Sequence, residues 1–305
     1  MSENPLISII INTYNGEKYL SKAIESVLAQ SYSTWELIVW DNNSTDGTGD
    51  LVRSFPDDRI VYYTSDITTP LGEARNSAIQ RAKGVFLSFL DSDDWWDVNR
   101  IARILPHFED KSVGAVYTNG YKYFESTGRL RPFYRRDQKG GYLFESLIKN
   151  YNVYLPSIMF RKSALESLEY KFNPIFNMIE EADLLIRLSA KWNIHYCNEK
   201  LCFWRAHSSS LSWASQSKFA VENLVLIDRL KTEFPYLNGT KSLKRLEART
   251  KYRIFIDTWK GQNVVNRHIL VPHLLDDHRL IVFFILSFLP LKVTLTFLKI
   301  LGKEL

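Results

Sequence analysis

The chain has 305 residues, of which 45% are hydrophobic, 24% charged and 14% aromatic, an ordinary globular composition with a surplus of rings that excludes disordered, collagenous and low-complexity classes. At this length a fold buries roughly three quarters of its extended surface, enough for one large domain or one domain plus an appendage. The net charge of +5 is too mild to call for nucleic acid as a partner.

That charge is unevenly spread: Gln216 to Leu305 holds 15 basic and 8 acidic residues, a net of +7, against −2 for residues 1 to 215. Cys197 and Cys202 are too few for a disulfide framework and lack metal-type spacing. A reducing compartment fits them. The apolar run Leu6 to Ile11 follows no basic segment and is short for an export signal, so the expected location is the cytoplasm.

In chain order, β-branched apolar runs alternate with amphipathic stretches, the signature of β-α units feeding a mainly parallel sheet. Strands are expected at Ile7–Asn12, Glu36–Trp40, Ile60–Tyr63, Val85–Leu90 and Val113–Tyr117. The three-and-four spacing of Tyr19, Leu20, Ala23, Ile24, Val27 and Leu28 predicts a helix over 17–30, and a second spans about 71–82, ending at Gly84. Residues 119–152, rich in Tyr, Arg and Gly, read as loops and edge structure beside a site. Helical periodicity returns over 180–191, and a basic helical region follows over about 216–260. A domain boundary near 215 separates residues 1–215 from 216–305.

Leu280 to Leu301 contains 16 apolar residues among 22, long enough to cross roughly 30 Å of apolar layer. Pro290 breaks the run, and a central lysine such as Lys292 costs about 3 kcal/mol on insertion scales; Lys299 also falls inside. Two short helices in the headgroup plane, aided by nearby basic residues, suit this pattern better than a span; packing on the protein's own core is the other reading. His268, His273 and His278, spaced by five, scatter around a helix and read as structural.

Three acidic clusters bear on chemistry. Asp41, in Trp40-Asp-Asn-Asn-Ser-Thr-Asp46, sits where a strand ends, the edge at which open α/β sheets bind ligands; it could accept hydrogen bonds from a base or ribose, or simply cap, as Asp46 could cap the following helix. Asp91, Asp93 and Asp94 crowd four positions after another apolar strand, and such repulsion implies a shared divalent cation. Glu180, Glu181 and Asp183 open a helix, which favours acids there regardless of function, yet a carboxylate so held could take a proton from a hydroxyl. No Gly-rich dinucleotide or P-loop fingerprint occurs.

Together, Ser8-Ile-Ile-Ile-Asn-Thr-Tyr-Asn-Gly-Glu-Lys-Tyr-Leu20, Trp40 to Gly47, Ala74-Arg-Asn76 and the Phe89 to Asp94 box resemble glycosyltransferase family 2, over about the first 215 residues. The resemblance implies a GT-A fold, a nucleotide-diphosphate sugar as donor, foremost a UDP-sugar, a divalent metal (Mn²⁺ or Mg²⁺) and inverting transfer. It would place Thr13, Tyr14, Asp41 and Arg75 around base and ribose, Asp91 nearer the ribose, and Asp93 on the metal with His207. Aligned on Asp183 and Arg187, it puts Glu181 where the family usually has an aspartate base; Glu180 and Asp183 are the other candidates. A glycan or lipid-linked acceptor and a peripheral place on the inner face of the cytoplasmic membrane follow if the tail lies on a bilayer. The rival reading is a nucleotide-sugar-binding scaffold without turnover.

Overall fold

In a computed structural model the described residues are 4–207, 216–262, 265–277, 279–289 and 293–294. They form two compact units, 4–144 with 152–207, and 145–151 with the residues from 216 onward.

The first unit is built on a mixed sheet. Its parallel half contains β1 (Ile7–Thr13), β2 (Trp35–Asp41), β3 (Ile60–Thr64) and β4 (Phe86–Phe89), in the order β3-β2-β1-β4. Helices α1 (Leu20–Leu28), α2 (Thr48–Arg53) and α3 (Leu71–Arg81) make the crossovers, and Leu20, Ala23, Ile24 and Val27 of α1 are buried, as their spacing requires. Gly84 lets the chain turn hard against β1: a Cβ there would lie 2.4 Å from Ser8 N and 2.8 Å from Leu6 O. All four strands end on one edge of the sheet, so the loops after β1, β2 and β4 share that edge.

Beyond β4 the sheet departs from the expected mainly parallel pattern. It continues through β8 (Ile158–Arg161), antiparallel to both β4 and β6 (Val113–Phe124), then β9 (Asn193–Ala206), parallel to β6, and the two-residue β5 (Trp95–Trp96). β7 (Arg129–Pro132) pairs with β6 in a hairpin. Residues 119–152 are therefore more regular than loops and edges: β6 runs on to Phe124, β7 follows, and α5 (Phe144–Lys149) precedes residue 152. β9 eludes periodicity because register shifts near Thr118 and Asn119 break its alternation between faces. The core joins β1, β2 and α1 to Phe86, Trp96, Phe108, Met159 and Cys202. Short α4 (Arg100–Ile104) and α6 (Lys162–Glu166), with the ten-residue α7 (Glu180–Ser189), complete the unit.

In the second unit the basic helical region expected over about 216–260 consists of two helices, α8 (Gln216–Glu233) and α9 (Lys241–Gln262), joined by the ion pair of Lys231 with Glu247 at 2.6 Å. Ser242 Oγ donates to Glu145 Oε2 at 2.9 Å, fixing the 145–151 segment to α9. Ala248, Phe255, Trp259, Leu270 and Leu280 form the core of this unit. Helix α10 (Arg279–Leu286) begins the apolar tail, with Ile281, Val282 and Ile285 exposed. Among the described residues no helix is long and apolar enough to cross a membrane; Pro290, Lys292 and Lys299 lie outside them. His273 Nδ1 sits 3.4 Å from Asp276 and His268 lies in a 3₁₀ turn, while His278 is outside the described residues.

Candidate functional site

The end of β1 and the end of β2 are tied together loop to loop. Asn42 N donates to Thr13 O at 2.8 Å, Asn15 N to Ser44 Oγ at 2.8 Å, Gly16 N to Thr48 Oγ1 at 2.9 Å and Thr45 N to Asn15 Oδ1 at 2.8 Å. Asn15 and Asn43 adopt left-handed backbone with φ of 50° and 70°, conformations asparagine tolerates best among non-glycine residues. Asp46, one residue before the Gly47 N-cap of α2, accepts from Thr48 N at 3.1 Å and so satisfies the first amide of that helix without occupying the cap position itself. Behind this latch Asp41 is buried, with Oδ1 accepting from Ser44 N at 2.7 Å and Oδ2 from the Tyr62 hydroxyl at 2.6 Å. Burial first, then the Asp41 charge, pushes the Tyr62 phenol up to about 12. Thr13 is buried, its Oγ1 without a hydrogen-bond partner among the described residues, whereas Tyr14 projects 54% exposed at the rim.

The three carboxylates after β4 go to three different partners. Asp91 Oδ1 receives Arg75 Nη2 at 3.3 Å, and Asp93 Oδ2 lies 2.8 Å from His207 Nε2. Asp94 is fully buried, accepting Arg205 N at 2.8 Å and the Tyr154 hydroxyl. The crowding that sequence alone assigns to a shared cation is thus relieved largely within the chain. Repulsion still registers: desolvation, opposed by Arg75 and reinforced by Asp93 and Glu180, pushes Asp91 up to about 6, and burial with the charges of Asp93 and Asp91 drives Asp94 well above the usual carboxylate range. Arg205 also donates from Nε to Asp93 O at 2.8 Å, so one residue of β9 holds both Asp93 and Asp94.

Sequence reasoning passed over Arg205 and Tyr62. The run Trp204-Arg-Ala-His207 carried the one available signal, an arginine two residues before the histidine. His207 directly follows β9 and packs tilted against Tyr19, with ring centroids 4.9 Å apart and planes 45° from parallel. Trp96 is a core residue whose Nε1 donates to Pro156 O at 2.9 Å, and Trp95 stacks on Phe203 at 5.1 Å.

Helix α7 separates its acids. Glu180 is buried and accepts Arg75 Nη1 at 2.6 Å. Asp183, also buried, accepts Arg187 Nε and Nη2 at 2.9 and 2.7 Å, while Arg187 further donates to Tyr170 O and Lys171 O. The Glu181 carboxylate has no hydrogen bond among the described residues; desolvation and Glu180, countered by Arg75 and joined by Asp91, push it up to about 8. Arg75 is buried, its guanidinium spanning Asp91 and Glu180, so it supports the site from within instead of lining its surface. Asp91, Arg75, Glu180 and Glu181 interact through one electrostatic network, and Asp93 joins it beside Asp91.

Among the described residues no three His, Cys, Asp or Glu side chains gather as a self-sufficient metal site. Asp93 and His207 do bring a carboxylate oxygen and an imidazole nitrogen within 2.8 Å, a donor pair that suits Mn²⁺ or Mg²⁺ when a diphosphate and water fill the other positions.

Three comparisons bear on this arrangement. The profile of "Glycosyl transferase family 2" matches residues 8–169. A UDP-Glc:alpha-D-GlcNAc-diphosphoundecaprenol beta-1,3-glucosyltransferase of Escherichia coli, WfgD, is 31% identical over 167 residues, covering 55% of this chain and 64% of its own length, so the chain spans less than two thirds of that relative. The crystal structure of S. aureus TarS 1-349 in complex with UDP-GlcNAc superposes with a TM-score of 0.65 at 17% identity, over 92% of this chain and 81% of that one. The mannosyltransferase PcManGT from Pyrobaculum calidifontis, in complex with GDP-Man and Mn²⁺, gives 0.60 at 15% identity, over 85% and 76%. These likenesses show the fold, a GT-A sheet with flanking helices.

Proposed function

Because this chain belongs to glycosyl transferase family 2, we propose that it transfers a sugar from a nucleotide-diphosphate donor, a UDP-sugar, to a hydroxyl of a glycan or lipid-linked acceptor, inverting the anomeric centre. The observation that carries this reading is the network in which Arg75 ties Asp91 to Glu180 while Glu181, next in the chain, has no hydrogen bond among the described residues. Residues 1–215 form the catalytic part in this reading and 216–305 a basic accessory region.

Glu180 is occupied by Arg75 and Asp183 by Arg187, which leaves Glu181 to serve as the base. Its raised pKa suits an acceptor hydroxyl better than an ordinary carboxylate would. Asp41, fixed by Tyr62 and Ser44, presents a rigid acceptor to the base of the nucleotide; Thr13 and Tyr14 border it. Arg75 acts on the donor through Asp91, which faces the ribose. Asp93 and His207 would hold the divalent cation, which when bound neutralises the departing diphosphate. WfgD's name gives it a diphosphoundecaprenol-linked acceptor, and a lipid-linked or polysaccharide acceptor is the class carried over to this chain. A peripheral membrane site is supported by the exposed Ile281, Val282, Ile285 and Phe288 in a region of net charge +7.

The test is nucleoside diphosphate release from a panel of UDP- and GDP-sugars with Mn²⁺ and acceptor extracts. Acceptor-dependent release that collapses in Glu181→Gln is the expected result. Donor binding without such release, the same in the variant, would establish a scaffold, a reading favoured only by the elevated proton affinity of Glu181. Membrane sedimentation lost on deleting residues 279–305 checks the peripheral location; full solubility in low-salt lysates argues against it.

A further inference from the structure

Beside the site, the face shared by β7, β6 and β9 carries charge and an aromatic ring that the donor chemistry does not use. Strand pairing sets Arg131 opposite Lys122 and Lys122 opposite Trp204, so the three side chains form a row across one face of the sheet. Lys122 Nζ lies 4.1 Å from the Trp204 ring centroid and 5.2 Å from that of Phe124, and the Arg131 guanidinium is 5.3 Å from the same Phe124 ring. Like charges set directly opposite on neighbouring strands lower stability. Here burial and Arg131 together hold the Lys122 ammonium below its ordinary value, a tension that an anion bound between them would relieve.

More cations border the row. Arg129, Arg135, Arg136 and Lys139 are exposed, and the one acid in 129–139, Asp137, is engaged by Asn198 Nδ2. Among the described residues Arg129, Arg131, Arg135 and Arg136 enter no ion pair. The row also leads to the site: the Trp204 ring is 5.7 Å from that of Tyr154, whose hydroxyl bonds Asp94. Trp204 precedes His207 by three residues, about 10 Å of extended chain. Tyr134 follows the β7 strand, and its phenol is pushed up by burial first, with the charge of Glu181 the smallest of the contributions.

Resting on the transferase reading above, we propose that Trp204, Lys122 and Arg131 form the acceptor subsite, the indole beneath a sugar ring and the two cations on a phosphate or diphosphate attached to that sugar. The acceptor class is therefore a saccharide carried on an anionic phosphate linkage, not a neutral glycan. An indole face takes the apolar face of a sugar. Arginine and lysine bind phosphate oxygens by charge-assisted bonds, which strengthen where rings exclude water.

The probe is dodecyl diphosphate, titrated calorimetrically into the full chain with saturating UDP and Mn²⁺ so that the donor site is closed to it. The wild type should bind it and bind dodecyl maltoside at least tenfold more weakly. Lys122→Met with Arg131→Met should weaken the diphosphate roughly tenfold to a hundredfold, as should the surface change Arg131→Glu alone if the double variant folds poorly; UDP affinity in the same cell reports folding. Equal diphosphate affinity in the variants, or no binding by the UDP-loaded wild type, overturns the proposal. So does a loss confined to phosphatidylglycerol vesicles, with dodecyl diphosphate unaffected, which would assign the cations to lipid headgroups. Failure of the wild type to bind UDP overturns the transferase reading instead, and the titration repeated without nucleotide still decides the subsite.

Discussion

Arg75 Nη1 donates to Glu180 Oε1 across 2.6 Å inside the first unit, and that bond divides the duties of two adjacent glutamates. Glu180 becomes part of the frame: its other oxygen, Oε2, is buried without a hydrogen-bond partner among the described residues. Glu181 keeps its carboxylate without a hydrogen bond among the described residues.

Replacing Arg75 with Met should be among the most damaging changes in the first unit. It strands the buried Glu180 and removes the partner of Asp91, and breaking a buried pair from one side costs about 3–5 kcal/mol. Glu180→Gln leaves Arg75 its bond to Asp91 and should cost less. Urea denaturation orders the two; the reverse order would refute the pairing described.

Glu181→Gln should trade activity for stability. In the folded chain Glu181 titrates at about 8, against an ordinary value of 4.5. Between those values the unfolded chain has released the proton that the folded chain retains, so this group lowers stability as pH rises from about 4.5 to about 8. Glutamine mimics the neutral form. The variant's Tm should exceed the wild type's by a margin that widens over that window and then levels, while turnover falls by two orders of magnitude or more, about what general-base catalysis supplies. In the wild type, kcat/KM should climb toward a plateau above about pH 8; a flat profile from 5 to 9 would remove Glu181 from the role of base.

If Asp93 and His207 hold the cation, Mn²⁺ and UDP together should raise Tm more than the sum of their separate effects, because each completes the other's coordination. Ligand at a hundred times its Kd contributes about 2.7 kcal/mol. Asp93→Asn and His207→Ala should each abolish the synergy and leave the metal-free Tm within a degree or two. Synergy that survives both variants would place the metal elsewhere.

The parallel half of the sheet and the loop positions of Asp41, Asp91 and Asp93 were legible because each follows a short apolar strand, and strand ends in such sheets gather on one edge. What periodicity missed was the half where strands are long, bulged and mixed in direction. β9 alternates poorly across the Thr118–Asn119 shift, so the bonds from Arg205 to Asp93 and Asp94 could not be foreseen; the pairing of His207 with Asp93, more than a hundred residues away, was legible only through the family resemblance and not from periodicity. The crowding of Asp91, Asp93 and Asp94 invited an electrostatic argument that treated them as equals. Only the tertiary partners, Arg75, His207 and Tyr154, separate them. The same holds for Glu180, Glu181 and Asp183: one helical turn is visible in the sequence, but which acid is consumed by an arginine is decided by α3 and by the carbonyls of Tyr170 and Lys171.

Asp94 is where that separation has its sharpest consequence. Burial, with the charges of Asp93 and Asp91, pushes it well above the usual carboxylate range, so its charged form is disfavoured. Asparagine removes that charge and keeps the shape: its carbonyl can accept Arg205 N, and its amide can donate to the Tyr154 oxygen once the hydroxyl rotates away. Asp94→Asn should therefore cost under about 1 kcal/mol and preserve the Mn²⁺–UDP synergy. Tyr154→Phe deletes the hydroxyl and leaves a buried carboxyl oxygen without its partner, a loss of about 1–3 kcal/mol, and loosens the turn that carries Asp93. Its KM for donor should rise more than its kcat falls, since positioning of the diphosphate suffers before the base does. Thermal denaturation and donor titrations on the two variants check both halves; if Asp94→Asn eliminated metal-dependent UDP binding as thoroughly as Asp93→Asn, Asp94 would have to be counted with the ion's ligands and not with the frame that aims them.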